Sequence, residues 1–128
     1  MITNTRLTTT ANITVFTATQ DGISGPNAVT NPGQPRAITT MILCNTGAPN
    51  ATDESINTCS VTIHIKDSAT VASSSNMVVS NLTIPAGETV FFSDEKIILE
   101  GNAGNADEVT VQASDANLIT VTVSSLAV

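Results

Sequence analysis

The sequence has very few aromatic side chains, with no Trp, no Tyr and three Phe among 128 residues. Proteins that bind single-stranded nucleic acid stack the bases on aromatic rings, and sugar-binding sites generally use an aromatic platform as well. Cationic side chains are also scarce, since four Lys and Arg stand against 11 Asp and Glu, for a formal net charge of −7. Because nucleic-acid binding and basic membrane-surface helices both need Lys and Arg, we expect neither a nucleic-acid nor a membrane partner.

Long apolar runs are missing too. Residues 1–7 lack the stretch of roughly 7–15 apolar residues that a secretory signal requires, and no run approaches the roughly 20 residues that span a bilayer. We therefore expect a complete and soluble chain. Its content of Thr, Ser and Asn, with 21, 12 and 12 residues, is nevertheless typical of proteins that work outside cells. A protein that is assembled in a cytoplasm and carried outside on a particle, such as a virus shell, would combine both properties.

Metal-binding and nucleophilic side chains are equally rare. Two Cys and one His cannot supply the four close ligands of a structural zinc site. Cys44 and Cys59 could form a disulfide across a hairpin or remain free thiols, and the spacing alone leaves both open. A catalytic triad would have to use His64, and the sequence has no nucleophile elbow or Gly-rich phosphate loop to accompany it. We predict that the protein is not an enzyme and uses no cofactor.

The residues that are abundant favour β-structure. Thr, Ile and Val number 21, 12 and 12, and these β-branched side chains pack well on pleated sheets. Short strand-like runs separated by polar turns predict an all-β fold, an antiparallel β-sandwich of jelly-roll or Ig-like type with about eight short strands. We expect one domain, in which residues 1–35 form an N-terminal arm or strand with a Gly/Pro-rich loop that could dock onto a neighbour. Residues 36–128 would form the body of the sandwich.

Two of the predicted strands have informative patterns. Residues 37–44 are apolar on both faces, which predicts a central strand that is buried on two sides. Residues 59–66 alternate between apolar and polar side chains, which predicts a strand with one wet or interfacial side. The polar side of this strand and the arginines at either end of the N-terminal region supply the candidate contact residues. These are Arg6, Arg36, Thr62, His64 and Lys66.

An acidic loop is the weak candidate for a metal site. Residues 100–108 place Glu100, Asp107 and Glu108 beside two Asn residues, and carboxylate and amide oxygens are the ligands that Ca²⁺ prefers. The spacing matches no EF-hand, and a solvated turn explains the same residues. We therefore predict no metal site, with these three side chains as the residues to check.

Residues 36–128 resemble a known group of proteins. The runs that carry the resemblance are residues 39–46, residues 84–89 with the Ile-Pro-Ala-Gly turn, residues 94–100, and residues 109–114 with the final Thr-Val-Ser-Ser strand. They resemble small virion structural proteins of tailed bacteriophages, including many from cyanophages. The resemblance implies a β-sandwich displayed on the particle, without saying whether it lies on the head, neck or tail.

Taken together, these observations lead to one expected function and two alternatives. We expect a capsid decoration, or cement, protein that binds the major capsid protein of an assembled head, acts as a homotrimer and resides in the virion after assembly in the host cytoplasm. The first alternative is a neck, baseplate or tail-fibre component. The second is of another class, a calcium-dependent adhesin or lectin-like binding module.

Overall fold

The computed structural model describes residues 1–18, 35–93, 96–101 and 105–127. These residues form nine β-strands and no α-helix, which confirms the all-β prediction. The strands are β1 (Ile2–Arg6), β2 (Ile13–Thr17), β3 (Arg36–Asn45), β4 (Cys59–Asp67), β5 (Met77–Ile84), β6 (Thr89–Phe92), β7 (Ile97–Leu99), β8 (Asp107–Ala113) and β9 (Ile119–Ala127).

The strands form two antiparallel sheets that pack against each other as a sandwich. The front sheet has the order β1-β9-β3-β6, with β7 pairing to a second stretch of β3, and the back sheet has the order β2-β8-β4-β5. Because β6 and β7 pair with neighbouring parts of the same strand, they act as one interrupted edge strand. The nine strands compare with the predicted number of about eight.

The strand pairing distinguishes between the two predicted types of sandwich. The pairs are nested along the chain: β4 with β5, β3 with β6 and β7, β2 with β8, and β1 with β9. This nesting, with successive pairs placed alternately in the back and front sheets, is the double-sheet jelly-roll arrangement. The fold is therefore a jelly roll rather than an Ig-like sandwich.

The N-terminal residues belong to this sandwich. β1 pairs with β9 along all five of its residues, and β2 pairs with β8 in the other sheet. Residues 1–18 therefore contribute one strand to each sheet. The predicted Gly/Pro-rich docking loop falls mainly on residues 19–34, which lie outside the described residues.

Aliphatic side chains from the inner faces fill the core between the sheets. Phe16 is the one aromatic residue that is almost completely buried among the described residues, and it follows an irregularity in β2. Fully burying such a side chain contributes roughly 1.5–3 kcal/mol. The largest of the completely buried aliphatic side chains are Leu7, Leu43, Ile63, Ile84, Leu99 and Ile119.

A buried amide connects the loops at one end of the sandwich. Asn45 is fully buried, and its Nδ2 donates to the carbonyl oxygens of Asn57 (2.7 Å) and Ile84 (2.8 Å). Its Oδ1 accepts from the N–H of Gly47 at 2.9 Å. A side chain at Gly47 would come within 2.8 Å of Asn57 Cβ, so glycine is needed for this close approach. These contacts hold the β3–β4 and β5–β6 connections together, and we call this the upper end.

Candidate functional site

His64 lies on the outer face of the back sheet but is covered. Its side chain is 4% exposed, and its Nδ1 lies 2.8 Å from Oδ1 of Asn76, in the loop that connects β4 to β5. The same Oδ1 accepts from the N–H of Ser73 at 3.0 Å, and Asn76 Nδ2 donates to the carbonyl of Val71 at 3.0 Å. His64 therefore anchors a loop over its own sheet, and within the described residues no acid or nucleophile bonds to its ring.

Lys66 is also engaged inside the protein. Its Nζ lies 2.6 Å from Oε1 of Glu108, directly across β4 and β8, and the two side chains are 8% and 12% exposed. Desolvation offsets much of the attraction within such a pair, but removal of one partner leaves a costly buried charge. The wet strand face predicted from residues 59–66 is thus open around Thr62 and closed around His64 and Lys66.

The two arginines differ in their surroundings. Arg6 is exposed at the upper end of β1, where its guanidinium donates to the carbonyl of Asn117 at 2.6 Å and to Oγ1 of Thr46 at 3.3 Å. Arg36 is half-buried at the start of β3 and donates to the carbonyl and hydroxyl oxygens of Ser125 at 3.3 and 3.1 Å. Of the two, Arg6 has the charge that a partner could reach more easily.

The acidic loop does not bring its three carboxylates together as ligands. Asp107 Oδ2 accepts from the N–H of Glu100 at 2.9 Å, and the N–H of Asp107 donates back to the Glu100 carbonyl at 2.9 Å. Glu108 is occupied by Lys66. Residues 102–104 of this loop lie outside the described residues. In the part of the chain that is described, no group of three or more His, Cys, Asp or Glu side chains could hold a metal ion.

Both cysteines are free thiols. Cys59 is 1% exposed and points into the core from the back sheet. Cys44 is half-buried and alternates with core-facing Leu43, so it points out of the front sheet. The front sheet separates the two side chains, which answers the question of a disulfide that the sequence left open.

Two shallow grooves lie beside the sheets. On the back sheet, a polar groove of about 340 Å³ is lined by hydroxyl and amide groups, including those of Thr62, Asn81 and Gln112. Between β5 and the β6–β7 edge, the sheets separate and leave an apolar groove of about 580 Å³, whose lining includes Met41, Val79 and Phe92. The first groove offers neutral hydrogen-bonding groups and the second offers packing surface.

The outer side of the front sheet, which we call the front face, is exposed. Four of its aliphatic and aromatic side chains are widely exposed: Ile2 (67%), Phe91 (62%), Ile98 (60%) and Leu126 (60%). The five described strands of this sheet contain no Asp, Glu or Lys. The four exposed side chains lie around the margins of the face, and between them β9 presents the hydroxyl groups of Thr120, Thr122 and Ser124. Exposed apolar side chains grouped on one face are typical of interaction surfaces.

The sequence analysis missed this face although a signal for it was present. Residues 37–44 were predicted to be buried on two sides because both of their faces are apolar. The structure places β3 centrally, between β9 and the β6–β7 edge, but the described residues cover only its inner side. Ile42 and Cys44 are only half-buried on the front face. The prediction of two-sided burial was therefore wrong for these two residues, because no described residue forms a second layer over this side of β3.

Comparisons with protein-family models, with curated proteins and with solved structures found no match for this chain. No helix in the described part of the chain has the length and apolar character needed to cross a membrane.

Proposed function

We propose that the chain is a structural protein of a bacteriophage virion, and specifically a capsid decoration protein that binds the outside of an assembled head. The resemblance of residues 36–128 to small phage virion proteins supports the class. Jelly rolls occur in viral capsid proteins, although they also occur in lectins and other proteins, so the fold alone does not select a function.

The observation that carries the proposal is the contrast between a wide contact surface and internally engaged chemical groups. The front face presents apolar side chains without carboxylates in its strands, whereas the only His in the sequence, His64, and the most buried ion pair described, Lys66–Glu108, are occupied within the protein. Such a molecule is suited to adhesion between protein surfaces.

Stabilisation of a shell by a bound protein follows from mass action. A decoration protein that binds the assembled head and not its free subunits lowers the free energy of the assembled state by RT ln(1 + [L]/Kd) per site, which is about 2.7 kcal/mol when the free concentration is 100 times Kd. Many weak sites on one head therefore add up to a large resistance to heat or force. A single tight site is not needed.

Copy number in purified particles tests the location. A decoration protein is expected in numbers on the order of hundreds per virion and on the head surface in a cryo-electron microscopy map. A small multiple of three or six, with density at the neck, baseplate or fibres, would replace the decoration proposal with the tail alternative. Absence from purified virions, together with calcium-dependent binding to glycans, would replace it with the adhesin alternative.

A further inference from the structure

The front face has a regular arrangement of side chains in rows that cross the sheet. The register between β1, β9, β3 and β6 places Arg6, Thr120, Cys44 and Thr89 in the row nearest the upper end. The row at the lower end combines Leu126, Ala37 and Ile98, with the small Ala37 between two large exposed side chains. Between these, Asn4, Thr122, Ile42 and Phe91 form one row and Ile2, Ser124 and Thr40 another.

Charge limits which surfaces of two copies can approach each other. The chain has a formal net charge of −7, and the described carboxylates lie in the loops and strand ends at the two ends of the sandwich or on the back sheet. They are Asp53, Glu54, Glu88 and Asp115 at the upper end and Asp67, Glu100, Asp107 and Glu108 at the lower end. Contact through the front face keeps these described groups at the periphery and so limits the repulsion between two copies.

The rows are complementary to themselves under a two-fold axis that runs parallel to the strands between β9 and β3. This axis places β1 of one copy over β6 of the other and β9 over β3, at the spacing of about 10 Å that packed sheets adopt. In the lower row, Leu126 of each copy then lies over Ala37 of the other. In the upper row, Arg6 lies over Thr89, beside the exposed Glu88 of the other copy.

The size of the face is adequate for such a contact. With four strands side by side and nine residues in β9, the face measures roughly 19 Å by 30 Å, from a strand spacing of about 4.8 Å and a rise of about 3.3 Å per residue. Because β1 has five residues and β6 with β7 seven, this rectangle is an upper bound, and over both copies the contact amounts to roughly 1,000 Å², at the lower limit of specific interfaces. Interfaces at this lower limit are weak and reversible.

We propose that the front face is a self-association surface, on which a second copy of this chain packs face to face about a two-fold axis. The partner copy supplies the second covering layer that the two-sided apolar pattern of β3 requires. The contact is isologous, so it produces a dimer, which differs from the trimer expected from the sequence. The proposal does not depend on a role in the virion, because every contact in it lies between two copies of this chain. A front face that is buried in the dimer is closed to the head, so a decoration protein would bind the head through its remaining surface or dissociate on binding.

Sedimentation equilibrium of the full chain, over a concentration series from micromolar to millimolar, tests the proposal. We expect the mass to rise from 13.1 kDa toward twice that value, with a dissociation constant on the order of 1–100 µM. Leu126→Ser should raise this constant by roughly tenfold or more, because it removes a large side chain, 60% exposed in the single chain, that the contact would bury. A chain that stays monomeric at millimolar concentration, or that forms a trimer, would overturn the proposal.

A matched variant controls for the loss of any exposed apolar side chain. Val71 is 80% exposed in the β4–β5 loop, outside the front face, so Val71→Ser should leave the dimer unchanged. Equal weakening by the two variants would contradict a contact at the front face. The virion copy-number measurement is separate, so either proposal can fail without the other.

A charge exchange tests the orientation of the two copies. Arg6→Glu and Glu88→Arg should each weaken the dimer, because each places like charges together, and the double variant should bind more tightly than either single one. Since Arg6 also bonds to Asn117, thermal melting should accompany each measurement to show that the variants are folded. Weakening by both single changes without recovery in the double variant would rule out the two-fold arrangement.

Discussion

The outer faces of the two sheets differ in what covers their side chains. On the back sheet, the polar side chains around His64 and Lys66 are covered by the protein's own loop and by an ion pair across neighbouring strands. On the front sheet, large apolar side chains such as Phe91 and Leu126 are more than half exposed. The polar side chains on the back sheet are thus partly covered, whereas the large apolar side chains on the front sheet are exposed.

This difference shows that polarity and accessibility are separate properties of a strand. Alternation along β4 correctly identifies which side chains point away from the core. The alternation does not show whether a loop covers these side chains. That depends on contacts such as the one between Asn76 and His64, which form only in the folded chain. By contrast, no described residue of the chain covers the large exposed apolar side chains of the front face.

The largest loss of stability is expected when the Lys66–Glu108 ion pair on the back sheet is broken by replacing Lys66. Lys66→Ala leaves Glu108 buried without its partner, which should lower the free energy of unfolding by about 3 kcal/mol or more. Urea denaturation followed by circular dichroism measures this loss. Lys96→Ala, at an exposed lysine, is the control and should change stability by less than about 0.5 kcal/mol.

A double variant tests whether the charges themselves are needed. Replacing the pair with Lys66→Met and Glu108→Leu removes both charges and keeps similar volume, so stability should return to within about 1 kcal/mol of the original chain. If the double variant is as unstable as Lys66→Ala, the attraction between the two charges itself stabilises the fold, and the loss in Lys66→Ala is more than the cost of leaving one buried charge unpaired.

The next largest effect concerns the loop that covers His64. Asn76→Ala removes the partner of His64 Nδ1 and of the N–H of Ser73, along with the bond to the Val71 carbonyl. Loss of these bonds should cost about 1–3 kcal/mol in the free energy of unfolding. Amide hydrogen exchange should also become faster across residues 68–76. Unchanged exchange in this loop would show that His64 is covered by other contacts.

The sequence predicted the class of fold well. It predicted less well which strands pair and which outward-facing side chains are covered. The local pattern was sufficient for the strands, since alternation and turn residues act over a few positions. The choice of a jelly roll depends on pairs such as Ile2 with Ser124, and the closure of the back face depends on Lys66 with Glu108, residues 42 positions apart. Such long-range pairs leave no periodic trace. The two-sided apolar pattern of β3 was visible, but it does not show whether the same chain or another copy provides the cover.

A smaller effect on stability is expected from the open front face. Leu126→Ser and Phe91→Ser remove side chains that are 60% and 62% exposed, so neither leaves a core cavity. At dilute, monomeric concentrations each should change the free energy of unfolding by no more than about 0.5 kcal/mol. Urea denaturation at low micromolar concentration provides the measurement. A loss of 2 kcal/mol or more would mean that these side chains pack within the monomer and that the two faces differ less than the structure indicates.

The smallest effect is expected at the acidic upper end, which belongs to neither face. The Ser55 hydroxyl (2.6 Å) and then its N–H (3.0 Å) donate to Oδ1 of Asp53 and hold the pKa of this exposed carboxyl below its ordinary value of 3.8. A carboxyl with a lowered pKa in the folded state adds stability above the unfolded-state pKa, and this contribution is lost as the pH falls through the folded-state pKa.

Asp53→Asn should therefore lower the melting temperature by on the order of a degree at pH 7. The difference should shrink as the pH is lowered below 3.8 and through the lowered folded-state pKa. The exposed Glu54→Gln variant controls for loss of one negative charge. A deficit for Asp53→Asn that stays the same at every pH would show that the turn, rather than the ionised carboxylate, is what the substitution disturbs.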